Sequence, residues 1–514
     1  MNRIRHLLTL SALLLLVACG PAEQTAVPTT DGRVRPTSTA TADAVPPDGD
    51  APEPAATLRP TPAPLDAAEA TALMATMSGP DGNAIQAGIG RILATGDQRF
   101  AAVFIEMIRA SQLGLSPAPI DYWVQALERL TGESQGDDWL GWMVWYGATD
   151  LTPPAGFTGW KGALLSPIDA RFADFLRDEA AANIRPEEIV WGGVRVDGIP
   201  ALDNPALLSP EEATYLQPDE PVFGLLFNGE ARAYPLRIMD WHERANDVIG
   251  GVPVSLAYCT LCGAAVAFDG RIGDERFDFG SSGFLFRSNK LMYDRQTNTL
   301  WNQLTGEPVL GDLVGRDLTL RRLPVVLTSW ADWLATHPQT LVLDINTGFD
   351  RTYTPGAAYG GYFAGDDVWF PVWQRSDLLA DKAQVFAVLV DGLPQAYPLQ
   401  TLQAARVVND TVNGQDLLLV AAPEPVTVSG DSLRGGEVSY AAGSAVRAYA
   451  TEGEQFAPGG TADTVVDESG RLWQVTEEAL LGPEGESYDR YPGHLAYWFG
   501  WFAFFPQTGV YGVE

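Results

Sequence analysis

The sequence predicts an α+β protein, with an N-terminal helical module followed by a duplicated, β-rich domain of hairpins that is small-barrel-like in character. Three observations carry that expectation. Apolar residues recur at three- and four-residue spacing over residues 66–150, two-residue turn signals then separate alternating apolar runs, and one long stretch of the chain aligns with a later stretch of itself.

The chain opens with Arg3 and Arg5, then an apolar run over residues 7–17 leading into Leu16-Val17-Ala18-Cys19. A run of about 11 residues is too short for a bilayer, which needs roughly 20, but it suits the core of a cleaved signal peptide. Its end resembles the lipobox of bacterial lipoproteins. That resemblance implies that residues 1–19 are a signal peptide and that Cys19 becomes the lipid-bearing first residue. The expected location is therefore extracytoplasmic, anchored to the cell membrane or outer membrane through the N-terminal lipid. Residues 20–65 are rich in Pro, Thr, Ala and Asp without an apolar period, and read as a disordered tether.

Composition excludes one broad class of partner. The net charge of -32, from 65 acidic and 33 basic residues, repels phosphate backbones, so nucleic acid is not an expected partner. With 46% hydrophobic residues and 15 Trp, the chain can bury a large core. It has three cysteines. Once Cys19 is assigned to the anchor, Cys259 and Cys262 can form at most one disulfide, which rules out a disulfide-stapled scaffold.

Helical spacing over residues 66–150 is set by Ile85, Ile89 and Ile92, by Phe104, Met107 and Ile108, and by Trp123, Leu127 and Leu130. The aromatic segment at residues 139–146, WLGWMVWY, reads as core or a docking face rather than a cofactor pocket.

Beyond it, VFGLLFNGEARAYPLRIMDWHERANDVIGGVPVSLA from Val222 aligns without a gap on VFAVLVDGLPQAYPLQTLQAARVVNDTVNGQDLLLV from Val385, at an offset of 163. Asn228-Gly229 falls on Asp391-Gly392, both two-residue hairpin signals. A second match, at an offset of 168, pairs Pro324 with Pro492 and Trp330 with Trp498. We therefore expect a first copy over residues 184–345 and a degenerate second copy over residues 346–514. Tyr234, Pro235, Asn246 and Asp247 have identical counterparts and read as scaffold.

The copies differ in chemistry-bearing residues. His242 falls on Ala405, Glu243 on Arg406, Cys259 on Ala422, Cys262 on Pro425 and His337 on Phe505. A fold that can be built without these residues points to a site rather than to scaffold. Cys259-Thr260-Leu261-Cys262-Gly263 follows a strand-like run, and Gly263 permits a tight turn that aims both sulfurs one way. Two thiolates at that spacing can hold zinc or cuprous copper, with His242 and His337 completing four ligands and Met292 as a further soft donor for copper. The same pair can instead cycle between dithiol and disulfide, with His242 or Glu243 as acid or base and an envelope redox protein as partner. A static disulfide in a non-enzymatic binding or assembly module is the rival expectation.

The run WHERANDVIGGVPVSLAYCTLCGAAVAFDG, followed by FGSSGFLFRSNKLMYDRQTNTLWNQLTGEPVLG and by His337-Pro338, resembles bacterial domain-of-unknown-function family 3179. The resemblance is strongest over residues 184–343 and continues more weakly to residue 511. It implies that Trp241-His242-Glu243, Cys259 with Cys262, and Met292-Tyr293-Asp294-Arg295 belong to the family pattern. Thr260 departs from it, since proline is expected after the first cysteine. Elsewhere, Ser281-Ser282-Gly283 reads as a strand bend, Asp294, Asp366 and Asp367 lack a spaced calcium loop, and His494 reads as a surface or packing histidine; His6 is removed with the signal.

Overall fold

The computed structural model describes residues 64–513. Cys19, the expected signal peptide and the expected tether up to residue 63 lie outside the described residues.

The helical part begins where the chain supplies caps. Asp66 accepts the Glu69 N–H at 2.8 Å to start Ala67–Met77, and Asp81 caps Gly82–Thr95, which Gly96 closes at φ 65°. Ala101–Gln112, Ile120–Thr131 and Trp139–Gly147 follow. The core expectation for the aromatic segment holds, because Trp139, Trp142, Met143 and Tyr146 are buried in one cluster with Trp123 and Phe104. Helices continue past the expected boundary at residue 150, through Phe157–Leu165 and Phe172–Phe175. Among the described residues, no helix is long and apolar enough to cross a membrane.

The β-rich part is duplicated down to strand register. In the first copy Pro221–Phe227 and Glu230–Pro235 form a hairpin, flanked by Val326–Ser329 antiparallel and Leu341–Leu343 parallel. In the second, Gln384–Val390 and Leu393–Pro398 are flanked by Gly493–Tyr497 and Gly509–Val510. Leu341 pairs with Arg232 as Gly509 pairs with Gln395, which reproduces both sequence offsets. Asn228-Gly229 and Asp391-Gly392 have φ of 51° and 77° and of 47° and 82°, the double positive values of a type I′ turn.

Paired scaffold bonds recur as well. Tyr234 donates to Asp247 and Tyr397 to Asp410, at 2.7 and 2.9 Å. Asn246 bonds the backbone of Phe279 as Asn409 bonds that of Phe456, and Trp301 donates to Asp294 as Trp473 does to Asp467. Asp294 thus organises a turn. Asp366 and Asp367 are exposed, and Ser282 lies in the irregular strand Phe279–Phe286, its hydroxyl donating to the Leu291 carbonyl.

One expected equivalence fails. Cys259 pairs with Ala264 across a four-residue turn, and Ala422 meets Ala445 in the same way. Between Ala422 and Ala445 the second copy carries an additional hairpin, Val426–Ser432 with Gly436–Gly443. Pro425 falls in that insertion, so Cys262 has no counterpart at all. The gapless alignment could not see this, because the strands on either side of the insertion are in register only in space. Val428, Val438 and Tyr440 of the hairpin pack into the apolar cluster of the first copy, with Phe223, Tyr234 and Tyr258.

Candidate functional site

The strand Val252–Cys259 is central in its sheet, between Arg244–Ile249 and Ala264–Asp269. A buried β-strand ends at Cys259 and restarts at Ala264, so both cysteines sit on a turn anchored at each end. Gly263 closes that turn at φ 58°, and a Cβ there would meet the Tyr497 ring at 2.9 Å. The glycine is therefore required by backbone conformation and by close packing of the second copy. The Tyr497 N–H donates to the Cys262 carbonyl at 2.7 Å, and Tyr362 donates its hydroxyl to the Leu261 carbonyl at 2.7 Å. Gly500 lies so near that an added Cβ would stand 3.0 Å from Cys262 Cβ.

The Cys259 and Cys262 sulfurs are 2.9 Å apart and share a hydrogen bond; the cysteines are 1% and 0% exposed. Their surroundings come from a hairpin that sequence reasoning passed over. Arg287 and Ser288 turn at φ 49° and 61° between Phe279–Phe286 and Asn289–Asp294. This presents the Ser288 carbonyl 3.5 Å from Cys262 Sγ, while Asn289 donates its side-chain amide to the same sulfur at 3.4 Å and to Gln303 at 2.8 Å. No glycine marks that turn in the sequence, so it left no local signal.

Glu243 is delivered by the corner after the helix Leu236–His242, where it caps the helix at φ 53°. Its carboxylate receives Lys290 Nζ at 2.6 Å, Thr260 Oγ1 at 2.9 Å and the Tyr359 hydroxyl at 3.1 Å. Thr260 therefore ties the turn to Glu243, a hydrogen bond that proline could not make. Both charges of the Glu243–Lys290 pair are buried, so removing either partner leaves an uncompensated ion.

The two thiols are electrostatically unlike. Burial and the Glu243 charge push the Cys259 thiol up, but the hydrogen bond with Cys262 and the Lys290 backbone N–H, with a smaller contribution from the Lys290 charge, outweigh them and hold Cys259 below its ordinary value. Burial and the neighbouring Cys259 raise Cys262 well above its own. Of the two thiols, Cys259 is therefore the one that gives up its proton more readily. Burial also lowers Lys290, against the pull of Glu243.

The structure divides the six candidate residues. Glu243, Cys259 and Cys262 converge, and Met292 lies in the same apolar cluster as the cysteines. His242 faces elsewhere, because the left-handed corner at Glu243 sends adjacent side chains to opposite sides. Its Nδ1 meets the Pro200 carbonyl at 2.8 Å and its Nε2 meets the Tyr353 hydroxyl. His337 stacks on Trp333 at 4.2 Å between ring centres, as Phe505 stacks on Trp501 at 4.1 Å. It occupies the place of an aromatic packing residue, and its Nε2 has no hydrogen-bond partner among the described residues. Among the described residues, no three His, Cys, Asp or Glu side chains are grouped to hold a metal ion. His494 is buried against Trp501.

Fold and site together define a class: α+β proteins with a duplicated barrel-type domain whose first copy alone contains a buried dithiol braced by a carboxylate–lysine pair. The chain matches the model of the family described as "Protein of unknown function (DUF3179)" over residues 196–508, more than half its length, and it belongs to that family. The match runs on through the second copy, which is thus part of the family domain. No curated protein and no solved structure matches the chain.

Proposed function

We propose that this chain is an extracytoplasmic lipoprotein, anchored through lipid on Cys19, whose Cys259–Cys262 pair exchanges electrons with a disulfide-bearing envelope partner. The observation that carries this reading is the asymmetric dithiol: two sulfurs in contact, with the neighbouring thiol and a backbone N–H lowering Cys259 while burial and Cys259 raise Cys262. In the exchange, the Cys259 thiolate attacks one sulfur of the partner disulfide and displaces the other as a thiolate. Cys262 then gives up its proton to that thiolate or to solvent, and its sulfur displaces the partner from Cys259. The products are the Cys259–Cys262 disulfide and the partner dithiol, so two electrons pass to the partner. Because both sulfurs are buried, the cover formed by Tyr362, Tyr497 and Gly500 must open for the partner to reach Cys259.

A second reading rests on the paired sulfurs. Two thiolates suffice for a digonal cuprous ion once Cys259 and Cys262 move apart from their 2.9 Å contact. The high acidic excess keeps nucleic acid outside either reading.

The test is thiol titration and metal analysis on the full chain, followed by equilibration in dithiol/disulfide buffers of graded potential. The redox reading expects two titratable thiols that oxidise together, and preferential alkylation of Cys259 in the reduced protein. Stoichiometric copper lost in Cys259→Ser would favour the metal reading. A disulfide inert to every buffer would overturn both and leave a binding module with a structural staple.

A further inference from the structure

Arg244 follows Glu243 and opens the strand Arg244–Ile249. It is 1% exposed, yet among the described residues it forms no ion pair. Its Nη1 donates to Ser255 Oγ at 3.2 Å, and its guanidinium lies 5.8 Å from the centre of the Phe279 ring. Among the described residues its Nε and Nη2 have no hydrogen-bond partner. These two groups form one edge of the guanidinium and point the same way, the fork that receives two oxygens of one anion.

In three other arginines of this chain that edge is filled by a carboxylate. Arg91 uses Nε and Nη2 on Glu69 at 2.7 and 3.1 Å, and Arg271 uses them on Asp269 at 3.0 Å each. Arg237 grips Glu220 in the same manner. All three are more exposed than Arg244. The deepest fork is therefore the unfilled one, although burial makes an uncompensated charge costliest there.

Nearby carboxylates do not supply the missing partner. Glu243, Asp203 and Asp197 are close enough for their charge to reach Arg244, but each is engaged. Glu243 holds Lys290, Thr260 and Tyr359; Asp203 holds Arg295 and Asn246; Asp197 holds Arg171, Arg295 and Tyr293. Arg295 adds like charge from one side and Lys290 from another. The second copy keeps none of this: Arg244 pairs with Ala257 across the sheet where Val407 pairs with Val420. Arg244 is thus a further chemistry-bearing residue confined to the first copy, next to Glu243 in the chain.

We propose that Arg244 anchors a buried subsite for a small oxyanion, with Nε and Nη2 bridging two of its oxygens. Carboxylates and tetrahedral oxyanions share the required edge. Burial lowers Arg244 only to about 10, so it stays cationic at neutral pH. The subsite depends on Arg244 and its neighbours, and not on whether the thiols carry electrons or a metal.

The experiment measures the thermal midpoint of the full chain in rising sodium acetate or sodium sulfate, balanced with sodium chloride to constant ionic strength. Wild type should rise saturably with acetate or sulfate and not with chloride, and the more effective anion tells a planar from a tetrahedral head. Arg244→Lys keeps the charge but loses the fork, and should bind at least tenfold more weakly; Arg244→Met should not respond. If Arg244→Met does not fold, Arg244→Lys carries the comparison. Cys259→Ser should respond as wild type, which separates this subsite from the dithiol. Absence of a saturable response in wild type, or an undiminished one in Arg244→Lys, overturns the proposal.

Discussion

Lowering the pH should destabilise this protein through His242, and the structure sets both sign and size. The imidazole is 0% exposed, donates from Nδ1 to the Pro200 carbonyl and accepts at Nε2 from the Tyr353 hydroxyl, which itself meets Thr347. Phe349 and Tyr353 flank the ring. Burial holds His242 down at about 4, against the Pro200 carbonyl and with help from the Arg351 charge. In an unfolded chain the same imidazole protonates near its ordinary 6.5. Between those values the unfolded state binds a proton that the folded state refuses. The contribution is therefore complete above pH 6.5 and is lost as pH falls toward 4. At about 1.4 kcal/mol per pH unit, the interval is worth roughly 3 kcal/mol. The assay compares urea unfolding of wild type and His242→Gln from pH 7.5 to 4, alongside imidazole NMR titration. With only four histidines in the chain, the imidazole resonances can be assigned by single variants. The free-energy difference between the two proteins should shrink as pH falls. A difference constant across that range, or a native imidazole titrating near 6.5, would falsify the account of His242 as a neutral buried acceptor.

Two other substitutions separate site from scaffold. Lys290→Met strands the buried Glu243 carboxylate, so it should cost about 3–5 kcal/mol in unfolding free energy and slow alkylation of Cys259 near neutral pH; the double variant with Glu243→Gln should recover much of both, since the Glu243 charge that raises Cys259 outweighs the Lys290 charge that lowers it. His337→Phe copies Phe505 onto the equivalent stack and removes a buried ring nitrogen without a partner, so its thermal midpoint should equal or exceed that of wild type; a loss of more than about 1 kcal/mol would show that the ring does more than pack.

Much of the fold was legible because its causes are local. The Asn228-Gly229 and Asp391-Gly392 turns need positive φ at both residues, and those dipeptides supply it where few others do. Helix starts at Asp66 and Asp81 follow from side chains that reach their own backbone. The duplication was visible because the shared scaffold contacts, such as Tyr234 with Asp247 and Tyr397 with Asp410, join residues close in the chain.

The site was half legible for the opposite reason. Glu243, Cys259 and Cys262 were found by comparing copies, and the same comparison at Arg244 and Val407 would have exposed the buried arginine. Lys290, Ser288, Asn289 and Tyr359 left no comparable signal, since they reach the dithiol from a glycine-free turn and from the segment joining the copies. His242 falls in with the cysteines in the sequence because the second copy lacks it too, with Ala405 in its place. One residue with left-handed backbone sends the two side chains apart, and a one-dimensional string does not record that rotation.

By itself the sequence determined the α+β class, the tandem copies, the turn positions and the pair of cysteines found in only one copy. These depend on periodicity, steric preference and identity at a constant offset. Tertiary structure alone decided that His337 packs as Phe505 does, that the second copy inserts a hairpin where the first has its dithiol turn, and that Glu243 braces a lysine beside Cys259. Those outcomes depend on burial and on contacts between residues more than 100 positions apart, as the 116 from Tyr359 to Glu243, and the energies that select them arise only once the chain has closed around them.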